Sequence, residues 1–185
     1  MNSAYIKWGL LAVVLAVFLP WWAITYSRER ASQQAIEVYT QFTNPRMQMR
    51  FPKDIHWDPQ SFLGRGKDAG FWDWSPKGVA LTPKGENIFG DNGKEITGDL
   101  IVGTREISTI KSVQPHGDTR EVLFLYTWTD FTDAAKLFNH APQKGKEYQA
   151  VAQLSEKGGA WEVTSIAAPD YDGIMAILTA ETKHP

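Results

Sequence analysis

Arg120-Glu121-Val122-Leu123-Phe124-Leu125-Tyr126-Thr127-Trp128-Thr129 alternates along its whole length. In an extended chain Val122, Phe124, Tyr126 and Trp128 share one face, and Leu123, Leu125 and Thr127 the other, because successive strand side chains point to opposite sides. Apolar groups on both faces predict a central strand covered on each side. Phe124, Tyr126 and Trp128 become the predicted centre of the core.

The pattern continues in both directions. Residues 130–140 read as a helix with Phe131, Ala134, Ala135 and Phe138 inward and Asp130 and Asp133 in its first turn, where carboxylates favour the helix dipole. Residues 147–155 alternate, with Tyr148, Ala150, Ala152 and Leu154 together. Glu156-Lys157-Gly158-Gly159 is a hairpin turn, and residues 160–167 return as a strand that brings Trp161 into the same core. Residues 172–182 suit a terminal helix. Upstream, Pro115-His116-Gly117-Asp118 is a turn preceded by a strand over residues 105–113. Shorter strands at 79–82 and 99–102 flank the turn Asp91-Asn92-Gly93. The predicted fold class is α+β, an antiparallel sheet with packed helices over residues 78–185.

Residues 45–77 carry Pro45, Pro52, Pro59 and Pro76 together with Gly64, Gly66 and Gly70. Proline and glycine at this density predict an irregular loop with one short helical turn at 59–63. The loop is also aromatic. Trp57, Phe71, Trp72 and Trp74 are costly to leave in water, so they are expected either to pin the loop to the domain or to meet a partner. These four form the candidate partner interface.

Residues 28–44 read as a juxtamembrane helix, with Ala31, Ala35, Val38 and Phe42 in helical rhythm and Asn44-Pro45 as its stop. Before it, residues 8–27 contain no charge. A helix of that length spans about 30 Å, the thickness of a bilayer's hydrocarbon core. Trp8 stands at one end of the run and Trp21 and Trp22 at the other, where amphipathic rings prefer the headgroup level. Residues 1–27 are therefore expected to form a single-pass anchor, with Trp8, Leu11, Val14, Phe18, Trp21 and Trp22 as its anchor residues. A cleaved signal peptide is the competing reading, but bulky aromatics stand where a cleavage site wants small residues. Lys7 precedes the run, and Arg28 and Arg30 follow it. The short leader and large C-terminal domain lead to the expectation that the domain lies outside the cytoplasm, against the local pull of the two arginines.

The chemistry is sparse. Among 185 residues there is no cysteine, which excludes disulfides, thiol nucleophiles and Cys-based metal sites. Lys plus Arg number 19 and Asp plus Glu 21, a net charge of −2 that argues against nucleic acid as a partner. His56, His116, His140 and His184 show no metal-ligand spacing. Gly64-Arg65-Gly66-Lys67 lacks the spacing of a phosphate loop and reads as a solvated turn. Asp170 and Asp172 read as a helix start. No cofactor, metal or catalytic residue is expected, and the chain is read as a non-enzyme.

Leu81-Thr82-Pro83-Lys84-Gly85, Gly103-Thr104-Arg105-Glu106-Ile107, the alternation of residues 122–128 and Gly159-x-Trp161-Glu162-Val163 together resemble small uncharacterised extracytoplasmic domains of Gram-negative bacteria, some of them lipoproteins. The chain differs from the lipoproteins in having no cysteine to acylate. The resemblance covers residues 78–168 and implies a cell-envelope setting. The expected function is a membrane-anchored accessory or assembly subunit of a bacterial inner-membrane complex. Its expected partners are the lipid bilayer and either a membrane protein or further copies of itself. An extracytoplasmic binding module for a small ligand or glycan is the alternative.

Overall fold

The computed structural model describes residues 22–183. The alternating stretch is the middle of β7 (Thr119–Phe131). With β6 (Gly103–His116), β8 (Glu147–Lys157) and β9 (Ala160–Ala167) it forms a four-stranded antiparallel meander in the order β6-β7-β8-β9. Val122, Phe124, Tyr126 and Trp128 are all 0% exposed. Across the strands Phe124 stands opposite Ile110 and Ala150, and Tyr126 opposite Ile107 and Tyr148. The small Ala150 and Ala152 leave room for the rings beside them. Trp161 packs half-buried against this core, on the ring side of the sheet. The second face of β7 is not covered as its apolar residues suggested. Leu123, Leu125 and Thr127 are half-exposed, so the meander is packed on one side and wet on the other, as antiparallel sheets allow.

Both outer strands of the meander are bulged. β6 slips register against β7 after Ile107 and again after Ile110, and β9 slips against β8 beside Leu154. Each bulge breaks the regular row of backbone groups that an edge strand would otherwise offer to another chain.

A second antiparallel sheet precedes the meander, built from β1 (Arg46–Pro52), β4 (Phe89–Asp91) and β5 (Glu95–Ile101) in the order β1-β5-β4. β1 lies inside the stretch expected to be a loop, and it alternates without a break. Met47, Met49 and Phe51 are buried while Arg46, Gln48 and Arg50 face solvent. Pro45 and Pro52 only punctuate its ends. On the solvent side Arg46 pairs with Asp99 at 2.6 Å, Arg50 with Glu95 at 2.7 Å, and Lys53 with Asp91. Val102 alone separates β5 from β6, and its buried backbone donates to the Pro45 carbonyl at 2.9 Å. At Gly103 a Cβ would stand 2.3 Å from the Asp130 carbonyl oxygen, so the crossing between the two sheets requires glycine.

The rest of the expected loop is also ordered. It holds α3 (Phe62–Asp68) and the hairpin of β2 (Trp72–Ser75) and β3 (Gly78–Leu81), after which the single turn α4 (Pro83–Glu86) leads to β4. Gly64 and Gly66 are not in a solvated turn. They are buried in α3, where a Cβ would strike the Pro59 carbonyl at 2.0 Å and the Trp72 ring at 1.9 Å. The Ser61 hydroxyl caps α3 by accepting from the Leu63 amide.

The helix expected over residues 130–140 is a correction of a different kind. β7 runs on to Phe131, whose ring stacks on Trp128 at 5.0 Å, and only a 3-10 turn, Asp133–Leu137, follows. Thr132, not Asp130, caps that turn by accepting from the Ala134 amide at 3.2 Å. The helix over residues 28–44 is two helices. α1 covers residues 22–37 and α2 is Thr40–Thr43, with a break at Val38-Tyr39 that leaves Val38 78% exposed. Ala35, Ile36 and Phe42 reach the core as expected, and Ser32 replaces Val38 in the buried stripe. The terminal helix α5 (Pro169–Lys183) buries Tyr171 and Leu178.

Candidate functional site

The four candidate rings divide into two groups. Phe71 and Trp72 are 0% and 1% exposed and belong to the domain's own core. Trp72 packs edge-on against Phe51, Phe62 and Phe89, and its indole N–H donates to the Leu63 carbonyl at 2.9 Å. That bond satisfies the one polar atom of the ring, so no partner is needed to bury it. The interface expected at Phe71 and Trp72 is therefore corrected to core packing. Trp57 and Trp74 are half-buried and lie against each other, ring centres 5.4 Å apart. Lys67 sits 5.7 Å from the Trp57 ring and pairs with Asp73 at 2.8 Å. The Lys67 ammonium holds the Asp73 carboxyl below the usual carboxylate range.

Beside this pair is a cleft of about 360 Å³. Buried Ile55, Phe62 and Leu63 line it, together with Trp57, His56, Asp58, Ser61 and Glu181. Glu181 comes from α5. Its Oε2 accepts from Arg65 at 2.6 Å and from the Phe62 amide at 3.1 Å, which locks α5 to the start of α3. The cleft combines apolar side chains, an aromatic ring and two carboxylates, a lining suited to a small ligand that carries hydrogen-bond donors. Nothing in the sequence links Glu181 to Arg65, because residues 116 positions apart meet only through the fold.

A second cluster lies at the opposite end of α5. Arg105 is 4% exposed and stands opposite Trp128 across β6 and β7. Four rings surround its guanidinium: Phe42 at 4.4 Å, Trp128 at 5.1 Å, Tyr126 at 5.2 Å and Tyr171 at 5.3 Å. Its Nε donates to the Phe42 carbonyl at 2.8 Å, while Nη1 is buried without a hydrogen-bond partner. The Tyr126 hydroxyl and the Trp128 indole N–H both donate to Asp170 in the first turn of α5, and the Tyr171 hydroxyl donates to the Arg46 carbonyl. Asp172 accepts from the Ala168 amide at 2.9 Å and so serves the helix start, whereas Asp170 ties the helix to β7. Burial pushes the Arg105 guanidinium below its usual range. The aromatic quadrupoles replace part of the lost hydration. The cage joins α2, the meander and α5. The sequence carried one sign of it: Arg105 is in phase with Ile107 on the inward face.

Among the described residues, no group of three or more His, Asp or Glu is gathered for a metal, and His56, His116 and His140 are exposed. Of the anchor residues, Trp8, Leu11, Val14, Phe18 and Trp21 lie outside the described residues. Trp22 opens the described part of α1, is 61% exposed and stacks on Tyr26 at 5.5 Å. No helix of the described residues is long and apolar enough to cross a membrane. No family model, curated protein or solved structure matches the chain.

Proposed function

We propose that this chain is a non-enzymatic, membrane-anchored accessory or assembly subunit of a bacterial envelope complex. Residues 1–27 form its single-pass anchor in the inner membrane, and its α+β domain is held outside the cytoplasm. The observation that carries the reading is at the start of α1. Trp22, Ile24 and Tyr26 are 61%, 50% and 52% exposed, and they make up half of the large apolar side chains left exposed among the described residues. A monomer in water rarely strings such groups along one helix end. They continue the uncharged run of residues 8–27, and the aromatic pair is followed at once by Arg28 and Arg30, the order expected where a helix leaves a bilayer. In this reading Trp57 and Trp74 are the aromatic surface offered to a membrane-protein partner.

Extraction of membranes with alkaline carbonate tests the anchor, and recovery from mild detergent tests the complex. The expected result is a chain that stays in the pellet, keeps residues 1–27 and brings down a stoichiometric partner. Release by carbonate, or a mature N-terminus beyond Tyr26, rejects the anchor.

A binding module is the second reading, and the cleft beside Trp57 favours it. Saturable quenching of tryptophan fluorescence by a small oligosaccharide, lost in Trp57→Ala, would select it over the subunit reading.

A further inference from the structure

The direction of α1 fixes which end of the meander faces the anchor. Beyond the C-terminal end of α1, the Phe42 carbonyl in α2 meets Arg105 near the start of β6. Further back, Gln33 and Glu37 share a groove with Thr109 and Ile110 in the middle of β6. The N-terminal turns of α1 therefore point to the far end of β6, where the β6–β7 and β8–β9 hairpins both turn. Those two tips are tied together, since the Glu156 amide donates to the Asp118 carbonyl at 2.9 Å.

Asp118, Glu156 and Glu162 stand on these hairpins, and Glu162 pairs with Lys157, but neither Arg28 nor Arg120 makes an ion pair with a described carboxylate. The Arg120 guanidinium lies over the Trp161 ring, 3.6 Å from its centre, and its Nη1 is buried without a hydrogen-bond partner. Arg28 stands on the stretch of α1 whose first turns run toward this end, beside the groove shared with Thr109 and Ile110. Burial lowers the Arg120 pKa, the positive charge of Arg28 lowers it further, and Glu156 acts the other way. Arg28 and Arg30 are exposed, and neither side chain makes an ion pair with another described residue. Like charges gathered at one end of a domain favour an anion between them. An unpaired guanidinium beside another is a natural receptor for phosphate.

Resting on the anchored reading above, we propose that the hairpin end of the meander seats on the bilayer, with Arg28 and Arg120 receiving the phosphate of an anionic phospholipid. The occupant follows from where α1 leaves the domain. Residues 22–27, the described end of the uncharged run, lead from this end of the domain, so in the anchored reading lipid headgroups are the anions closest to the two arginines. The arrangement holds the domain upright on its anchor, with the hairpin tips toward the bilayer.

Hydrogen exchange of the full chain tests this in phosphatidylcholine nanodiscs with and without phosphatidylglycerol. Amides of residues 116–120 and 157–161 are expected to exchange roughly fivefold more slowly in the anionic discs, the effect of one arginine at a charged surface. Arg28→Gln, an exposed position that the fold does not need, should abolish the difference while β7 amides stay protected. Equal exchange in both discs overturns the proposal and leaves the anchor standing. The same protection from free inorganic phosphate over phosphatidylcholine overturns the lipid as its source. Failure to enter either disc overturns the anchored reading and this proposal together.

Discussion

The guanidinium of Arg105 lies 4.4 Å from the centre of the Phe42 ring while its Nε donates to the Phe42 carbonyl at 2.8 Å, so one side chain grips both the ring and the backbone of a residue 63 positions away. Through Tyr126 and Trp128 the same cluster reaches Asp170, and with it the start of α5. Removing a partner from such a cluster strands the remaining polar groups. Arg105→Ala strands the Phe42 carbonyl and also leaves a cavity among four rings, so it is expected to cost roughly 3–5 kcal/mol. Arg105→Met keeps the stem and removes a guanidinium whose Nη1 has no partner, so it should cost less than half as much. Thermal melting of the two variants checks this. An Ala variant as stable as the parent would show that the cage contributes nothing.

Two glycines should respond in opposite directions. Gly66→Ala would put a Cβ 1.9 Å from the Trp72 ring and is expected to destabilise by about 1–3 kcal/mol through overpacking. Gly173 lies inside α5, where an added Cβ would meet nothing within 4 Å, and Gly173→Ala should stabilise by about 0.5–1 kcal/mol. Comparison of melting temperatures suffices, and a neutral Gly66→Ala would show that α3 and Trp72 do not pack as described.

The tryptophans separate by burial. Trp72→Ala should cost roughly 3–5 kcal/mol, because it empties the contact with Phe51, Phe62 and Phe89. Replacing Trp57 and Trp74 by Ala should move the melting temperature far less and weaken recovery of the partner complex. Unchanged recovery would assign both rings to the domain alone.

Alkaline pH should loosen α5 before the sheets. Burial pushes the Tyr171 hydroxyl up to about 12, and burial with the bond to Asp170 pushes Tyr126 up as well. The protonated phenol is thus favoured in the folded state. The stabilisation is complete below the unfolded tyrosine value of about 10 and is lost as pH rises through the folded value of about 12. Phenolate absorbance followed with helical circular dichroism should show both tyrosines titrating late and together with loss of α5. Titration of every tyrosine at the unfolded value would contradict the burial of Tyr126 and Tyr171.

Much of the fold was legible because its signal is local. Alternation at period two identified the central strand, its neighbours and the last hairpin, and the same rule applied to Arg46-Met47-Gln48-Met49-Arg50-Phe51 would have found β1. There the flanking prolines argued for a loop, although proline at a strand's ends costs no ladder bond. The helix over 130–140 failed because β7 runs on to Phe131, which stacks on Trp128, and only the 3-10 turn Asp133–Leu137 follows.

The candidate site was less legible. The sequence by itself determined the uncharged run of residues 8–27, the strand pattern of the meander, the absence of thiol chemistry and the aromatic richness of residues 57–74. Each of these depends only on composition or on neighbours a few positions apart. Tertiary structure decided that Phe71 and Trp72 are core while Trp57 and Trp74 remain at the surface, that Arg105 is caged, and that Glu181, held by Arg65, lines a cleft beside Trp57. Those outcomes depend on which surfaces meet once distant segments come together, and burial and charge pairing between such segments leave no periodic trace in the chain.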